Sequence, residues 1–333
     1  MRAVGPARKD PAQGRIPRLF LLAAFAIPFF YLPAFFFDSN TSFTQVDTWR
    51  FWIIHLWVEG FFELFATVMV AVMFIRLGLV SVRTGTRVIY LDAVLFLGAG
   101  ILGTGHHWYW TGQSTSSMAI SAVFSAMEVV PLILLTLEAS DFVGLMRSGT
   151  DDDGNKVPFP HKWTFYFLIA VGVWNFIGAG IFGFLINLPV VSYYEVGTQL
   201  TPNHGHGALM GVFGMLAVAL VVFALRQVSS DSMWRKTEKL VKVSFWGLNI
   251  GLAGMIILQL FPMGVAQLAD VIRNGYWHAR SPAFTESALG TVFGWARLPA
   301  DIIFILFGVL PLLAATVLTY LWARKPPAES RVQ

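Results

Sequence analysis

FWIIHLWVEGFFELF, residues 51–65, places one histidine, His55, and two carboxylates, Glu59 and Glu63, in an otherwise apolar run. Positions four and eight residues apart share one face of an α-helix, so the three form a single polar stripe. A carboxylate at the centre of a membrane helix costs about 2.5–3.5 kcal/mol on insertion scales and ordinarily faces a bundle interior with a partner. Two beside a histidine imply chemistry that uses them.

The surrounding composition makes this a membrane helix. Of 333 residues, 56% are hydrophobic and 13% charged, where soluble domains carry about 25% charged residues. The chain reads as an all-α, polytopic membrane bundle. Its sequence pI of 9.4 is no sign of nucleic acid, because the basic residues fall in short loops between apolar runs and set orientation. There is no cysteine, which excludes disulfides, thiolate metal ligands and covalent c-type haem.

Eight spans of near the required ~20 residues are expected at 18–37, 51–76, 88–110, 118–146, 160–187, 199–225, 240–270 and 300–323. They lie within an expected transmembrane unit, 18–325, flanked by a basic tail at 1–17 and a second tail at 326–333. Lys and Arg concentrate in the N-terminal tail, the loops around Arg83 and Lys239, and the C-terminus, which puts both termini in the cytoplasm. The acidic run 151–156 reads as a solvated cytoplasmic turn. The long loop 271–299, with Arg273, Arg280 and Arg297, fits this orientation least well, while the outer loop 188–198 holds a single charge, Glu195.

Five of the seven histidines reach one depth under that topology: His55, His106, His107, His204 and His206 all lie in the outer third of the bilayer. The topology came from Lys and Arg, so the agreement is independent of it. Imidazole binds iron, copper and zinc, and His55, Glu59, His106 and His107 would offer three nitrogens and one oxygen. Adjacent histidines on a helix diverge by about 100°. His106 and His107 can share a metal only at a helix end or through different ring nitrogens, and Gly103 and Gly105 just before them permit a local distortion. His204 and His206 diverge by about 200° and cannot share one metal, but can each ligate a cofactor on opposite faces. Gly205, Gly207, Gly211 and Gly214 would let flat macrocycles approach, whereas Gly178, Gly180 and Gly183 read as packing glycines. For His161 and His278, helix–helix hydrogen bonding or solvent exposure is the preferred reading.

HLWVEG, GTGHH and HGH, in this order on these helices, resemble the catalytic subunit of bacterial nitric oxide reductases, a branch of the haem–copper oxidase superfamily. FFELFATVMVA, SAMEVVPL and GAGIFGFLIN resemble its quinol-dependent type. The resemblance implies a non-haem iron on His55, Glu59, His106 and His107. It implies a high-spin haem b on His204 and a low-spin haem b on His206, with Glu63 and Glu128 as further buried carboxylates beside Glu59 in proton delivery. Arg297 is either a haem-propionate partner or an ordinary interfacial arginine. The implied reaction is reduction of NO to N2O in the bacterial cytoplasmic membrane, with quinol or cytochrome c as electron donor. Family members place these eight helices after four others, which carry the second low-spin ligand. A truncated or split gene product, or a second chain supplying that half, is the corresponding expectation. The rival readings are an oxygen-reducing terminal oxidase, many of which have tyrosine where this chain has Glu59, an NO-disproportionating enzyme, and a non-catalytic membrane subunit or transporter.

Overall fold

The computed structural model describes residues 15–95, 100–148 and 159–324, with side chains omitted for 141–148. The acidic run 151–156 and nearly all of both tails lie outside the described residues. Among those described, every regular element is helical, as lipid requires of a chain that must satisfy its own backbone groups. This is a multi-pass membrane protein. Among the described residues, seven helices are long and apolar enough to cross a bilayer: α1 (Ile16–Phe36), α2 (Phe43–Arg76), α4 (Thr115–Ser140), α5 (Lys162–Asn187), α6 (Leu200–Val228), α7 (Asp231–Asn274) and α8 (Ala288–Ala323). Between α2 and α4 lies α3 (Val82–Leu95), and the chain is described again from Gly100, through a short helical turn, to His107. The third expected span, 88–110, covers that region, and residues 96–99 lie outside the described set.

Several spans outrun their expected ends. α2 begins at Phe43 rather than 51, α7 continues to Asn274, and α8 starts at Ala288. Polar Asp47 kept the first of these added turns out of an apolar window, yet it is buried. The core runs through α2, α5 and α6 and includes Leu56, Phe74, Phe165, Leu168 and Met215, all fully enclosed. Exposed Phe25, Val94, Val292 and Leu313 face outward, as expected of helices whose outer surface meets lipid tails.

α5 and α6 meet backbone to backbone. A Cβ on Gly178 would lie 2.3 Å from the carbonyl carbon of Gly207, and one on Gly207 would lie 2.6 Å from Cα of Gly178. Small residues at a crossing let membrane helices approach this closely. Gly207 is therefore a packing glycine, and so is Gly211, where a Cβ would meet the Trp174 side chain at 2.5 Å. The expectation that these two open the helix to a macrocycle is corrected; of the four, Gly205 alone has nothing within 4 Å.

Gly178→Ala should separate α5 from α6 and destabilise the protein by about 1–3 kcal/mol, the usual cost of overpacking. Gly294→Ala, at a position with open space, should leave the thermal transition in detergent unchanged. Equal transitions for the two variants would show that the crossing tolerates a methyl group.

Candidate metal centre

His55 begins a π-helical stretch, His55–Phe61, set between the α-helical segments Phe43–Ile54 and Phe62–Arg76 of α2. Such stretches widen the turn and occur often at functional sites. Here the stretch carries both His55 and Glu59, and their side chains meet, with His55 Nδ1 3.1 Å from Glu59 Oε2. His55 is fully buried. Its ring fits because Gly103 has no side chain: a Cβ there would sit 3.1 Å from His55 Nε2.

His106 and His107 arrive from the far side. After Gly103 the helix tightens into a 3₁₀ turn, Thr104–His107, and ends at Trp108. Two contacts pin the turn. Ser121 accepts from the His106 backbone N–H at 2.7 Å and donates to the Gly103 carbonyl. The Trp108 indole donates to the Thr48 carbonyl of α2 at 3.3 Å. The helix end lets both neighbouring imidazoles turn to Glu59. His106 Nε2 lies 3.8 Å from Oε2, and His107 Nε2 lies 3.4 Å from Oε1. Phe51 stacks on the His107 ring at 4.9 Å.

One donor atom from each of His55, Glu59, His106 and His107 lies within 4.8 Å of the others, a set that could hold a metal ion. Its chemistry fits one. His55 Nε2, both ring nitrogens of His106 and His107 Nε2 are buried without a hydrogen-bond partner, whereas buried polar atoms are almost always satisfied. Three imidazoles and a carboxylate suit a borderline transition metal such as iron.

His204 looks into the same space from α6. Its Nδ1 is 2.8 Å from the Gly178 carbonyl, so the α5–α6 crossing that buries Gly178 also aims the ring. A hydrogen bond of this kind fixes the tautomer and leaves Nε2 as a ligand. A Cβ on Gly183 would press on the His204 ring at 3.0 Å. Gly183 thus clears room for the ring, a role beyond the packing expected of it. Two cavities adjoin. One, of about 240 Å³, touches Glu59, Glu63, Glu128, Thr201 and His204. The other, of about 1080 Å³, touches Glu59, His106, His107, Glu195 and His204 and reaches exposed Phe43 and Trp277. That volume is at the top of the roughly 300–1,000 Å³ typical of ligand sites, so there is room for a macrocycle beside His204.

His206 points elsewhere. Its Nδ1 lies 2.8 Å from the Pro202 carbonyl, and its Nε2 lies 3.3 Å from the Arg297 guanidinium. Arg297 also pairs with Asp301 at 3.0 Å. The ring is oriented as a ligand would be, but Arg297 occupies the side an iron would take. Among the described residues no second histidine faces it. The fit to a low-spin haem is incomplete.

Glu63 and Glu128 are buried, each with Oε1 unpartnered. Glu128 Oε1 approaches the Gly103 position occupied on its other side by His55. Sequence reading missed Asp92, which is fully buried on α3 beside Thr67. The signal was available: a lone acid in an apolar run. His161 contacts Gln227 and His278 pairs with Asp270, both away from the site.

The sequence matches the family described as Cytochrome C and Quinol oxidase polypeptide I over residues 9–322. It is 30% identical over 286 residues to a nitric oxide reductase subunit from Stutzerimonas stutzeri. That alignment takes in 83% of this chain and 56% of the relative, so the chain spans little more than half the relative's length. With the histidines arranged as above and a match along nearly its whole length, the chain belongs to the cytochrome c and quinol oxidase polypeptide I family, the haem–copper oxidase subunit I proteins.

Proposed function

We propose that this chain is a nitric oxide reductase subunit of the bacterial cytoplasmic membrane, with both termini cytoplasmic. It would convert two NO to N2O and water with two protons and two electrons drawn from a quinol or cytochrome c. The observation that carries the reading is the convergence of His55, Glu59, His106 and His107 on one point across a cavity from His204. The likeness to a nitric oxide reductase subunit supports NO as substrate. So does the carboxylate in the donor set, a hard oxygen that suits iron.

Iron at the four-donor cluster and in a haem b on His204 would supply the electrons and the sites at which two NO molecules are brought together. The chain's own residues do the rest. Glu59 is held by three imidazoles, which fix its position in the donor set. Val58, Leu209, Val212 and Phe213 line the smaller cavity with apolar surface that admits a small uncharged gas and excludes bulk water. Glu63 and Glu128, on the same cavity with one oxygen each unpartnered, hold and release protons. Oxygen reduction is the second reading, since the family's description names oxidases. NO and O2 consumption by the purified protein separates the two.

Glu59→Ala should abolish NO turnover and lower non-haem iron content while leaving the haem absorption spectrum largely intact. Turnover that survives the change would remove Glu59 from the ligand set. Ser121→Ala should release the 104–107 turn and weaken metal binding about 10- to 100-fold, as loss of a supporting hydrogen bond typically does. Chelator competition reads that affinity, and an unchanged value would show that the turn holds without Ser121.

A further inference from the structure

Glu195 ends a short helix, Pro189–Glu195, between α5 and α6 on the outer side. It is only 3% exposed, yet it lines the larger cavity that reaches the surface at Phe43 and Trp277. Thr201 donates its hydroxyl hydrogen to Glu195 Oε2 at 2.9 Å. Thr201 lines both cavities, so it stands between Glu195 and the compartment that holds Glu59, Glu63 and Glu128.

The connection between Glu195 and Thr201 is a fixed frame. Arg280 donates to the carbonyls of Val196 and Tyr276 and lies over the Tyr276 ring at 3.6 Å. The Tyr276 hydroxyl donates to the Val196 carbonyl at 2.8 Å. Gly197 has φ of +81°, and a Cβ there would meet Arg280 Nε at 2.9 Å, so the loop closes around the guanidinium only with glycine. Arg280 is the charged group that acts on Glu195, and Thr201 its hydrogen-bond donor. Burial pushes Glu195 up to about 7, opposed by Thr201 and Arg280. The group therefore changes protonation near neutral pH, which suits proton transfer.

We propose that Glu195, with Thr201, loads protons from the outer aqueous phase into the reaction cavities. This rests on the reading of the site as proton-consuming. The Glu195 carboxylate takes up one proton delivered as hydronium from the outer aqueous phase, which leaves neutral water behind. It releases that proton past the Thr201 hydroxyl toward the inner carboxylates and returns to its ionised form. No electron moves in the step.

In Glu195→Gln, steady-state turnover should fall about 100-fold, within the range typical of a lost acid–base group, with iron and haem contents unchanged. The wild-type decline in turnover as pH rises through about 7 should flatten in the variant, and Glu195→Asp should restore part of the rate. Difference infrared spectra should show a buried carboxyl band that titrates near neutral pH in the wild type and is missing from Glu195→Gln. Wild-type turnover and pH profile in Glu195→Gln would overturn the proposal, as would loss of metal or haem, which would mark a structural role. If the wild type reduces no NO, the proposed function falls, while the infrared titration still decides whether Glu195 takes up a proton.

Discussion

A carboxylate enclosed by three imidazoles inside a membrane bundle is the constraint to which the rest of the structure answers. Glu59 has histidines on three sides and, among the described residues, no lysine or arginine as an ion-pair partner. Ring nitrogens in the cluster carry lone pairs without donors to meet them. Acceptors converging on acceptors in a low dielectric repel unless a proton or a cation lies between them. The arrangement is thus poor as packing and good as a coordination shell. The local irregularities serve it. The π-helical stretch in α2 carries two members of the set, and the 3₁₀ turn after Gly103 presents the other two. Glycine at 103 gives the His55 ring its space.

The second half of the site depends on how closely two helices can approach. Gly178 and Gly207 leave no room for a side chain between α5 and α6, and the carbonyl freed at Gly178 orients His204. One contact therefore sets both the helix spacing and the direction of a ligand. His206, two residues on, is turned toward α8 and Arg297. The same helix consequently addresses the cavities on one face and Arg297 on the other. This divergence follows from helical rotation alone.

Much of this was legible in the sequence. Apolar runs of spanning length announced the helices, and the spacing of His55 and Glu59 gave one polar face. The expected common depth of the five histidines rests on loop charges and on an orientation drawn from them. What stayed hidden depended on tertiary proximity. Gly183 and Gly207 look alike as letters, yet one clears a ring and the other meets a backbone. Asp92 stood in plain view but had no visible partner, and burial on α3 gives it meaning. Glu195 read as a loop charge until the chain folded Thr201 and Arg280 around it.

The loop 271–299 shows why such errors cluster at span ends. Read as a loop, it holds three arginines on the outer side and strains the orientation drawn from Lys and Arg. In the folded chain α7 runs to Asn274 and α8 starts at Ala288, so Arg273 sits in the last turn of one helix and Arg297 lies within the other. Arg280, which remains between them, is folded against Val196 and Tyr276 beside Glu195. Orientation is set by basic residues in short solvated loops, and Arg280 and Arg297 are committed to internal partners instead. Two of the three apparent exceptions to the charge rule stand at the edges of the site. Arg297 stands at His206, and Arg280 stands at the carboxylate on the outer cavity. Two of the three basic residues that fit the expected orientation least well therefore lie beside a buried acid and a candidate ligand.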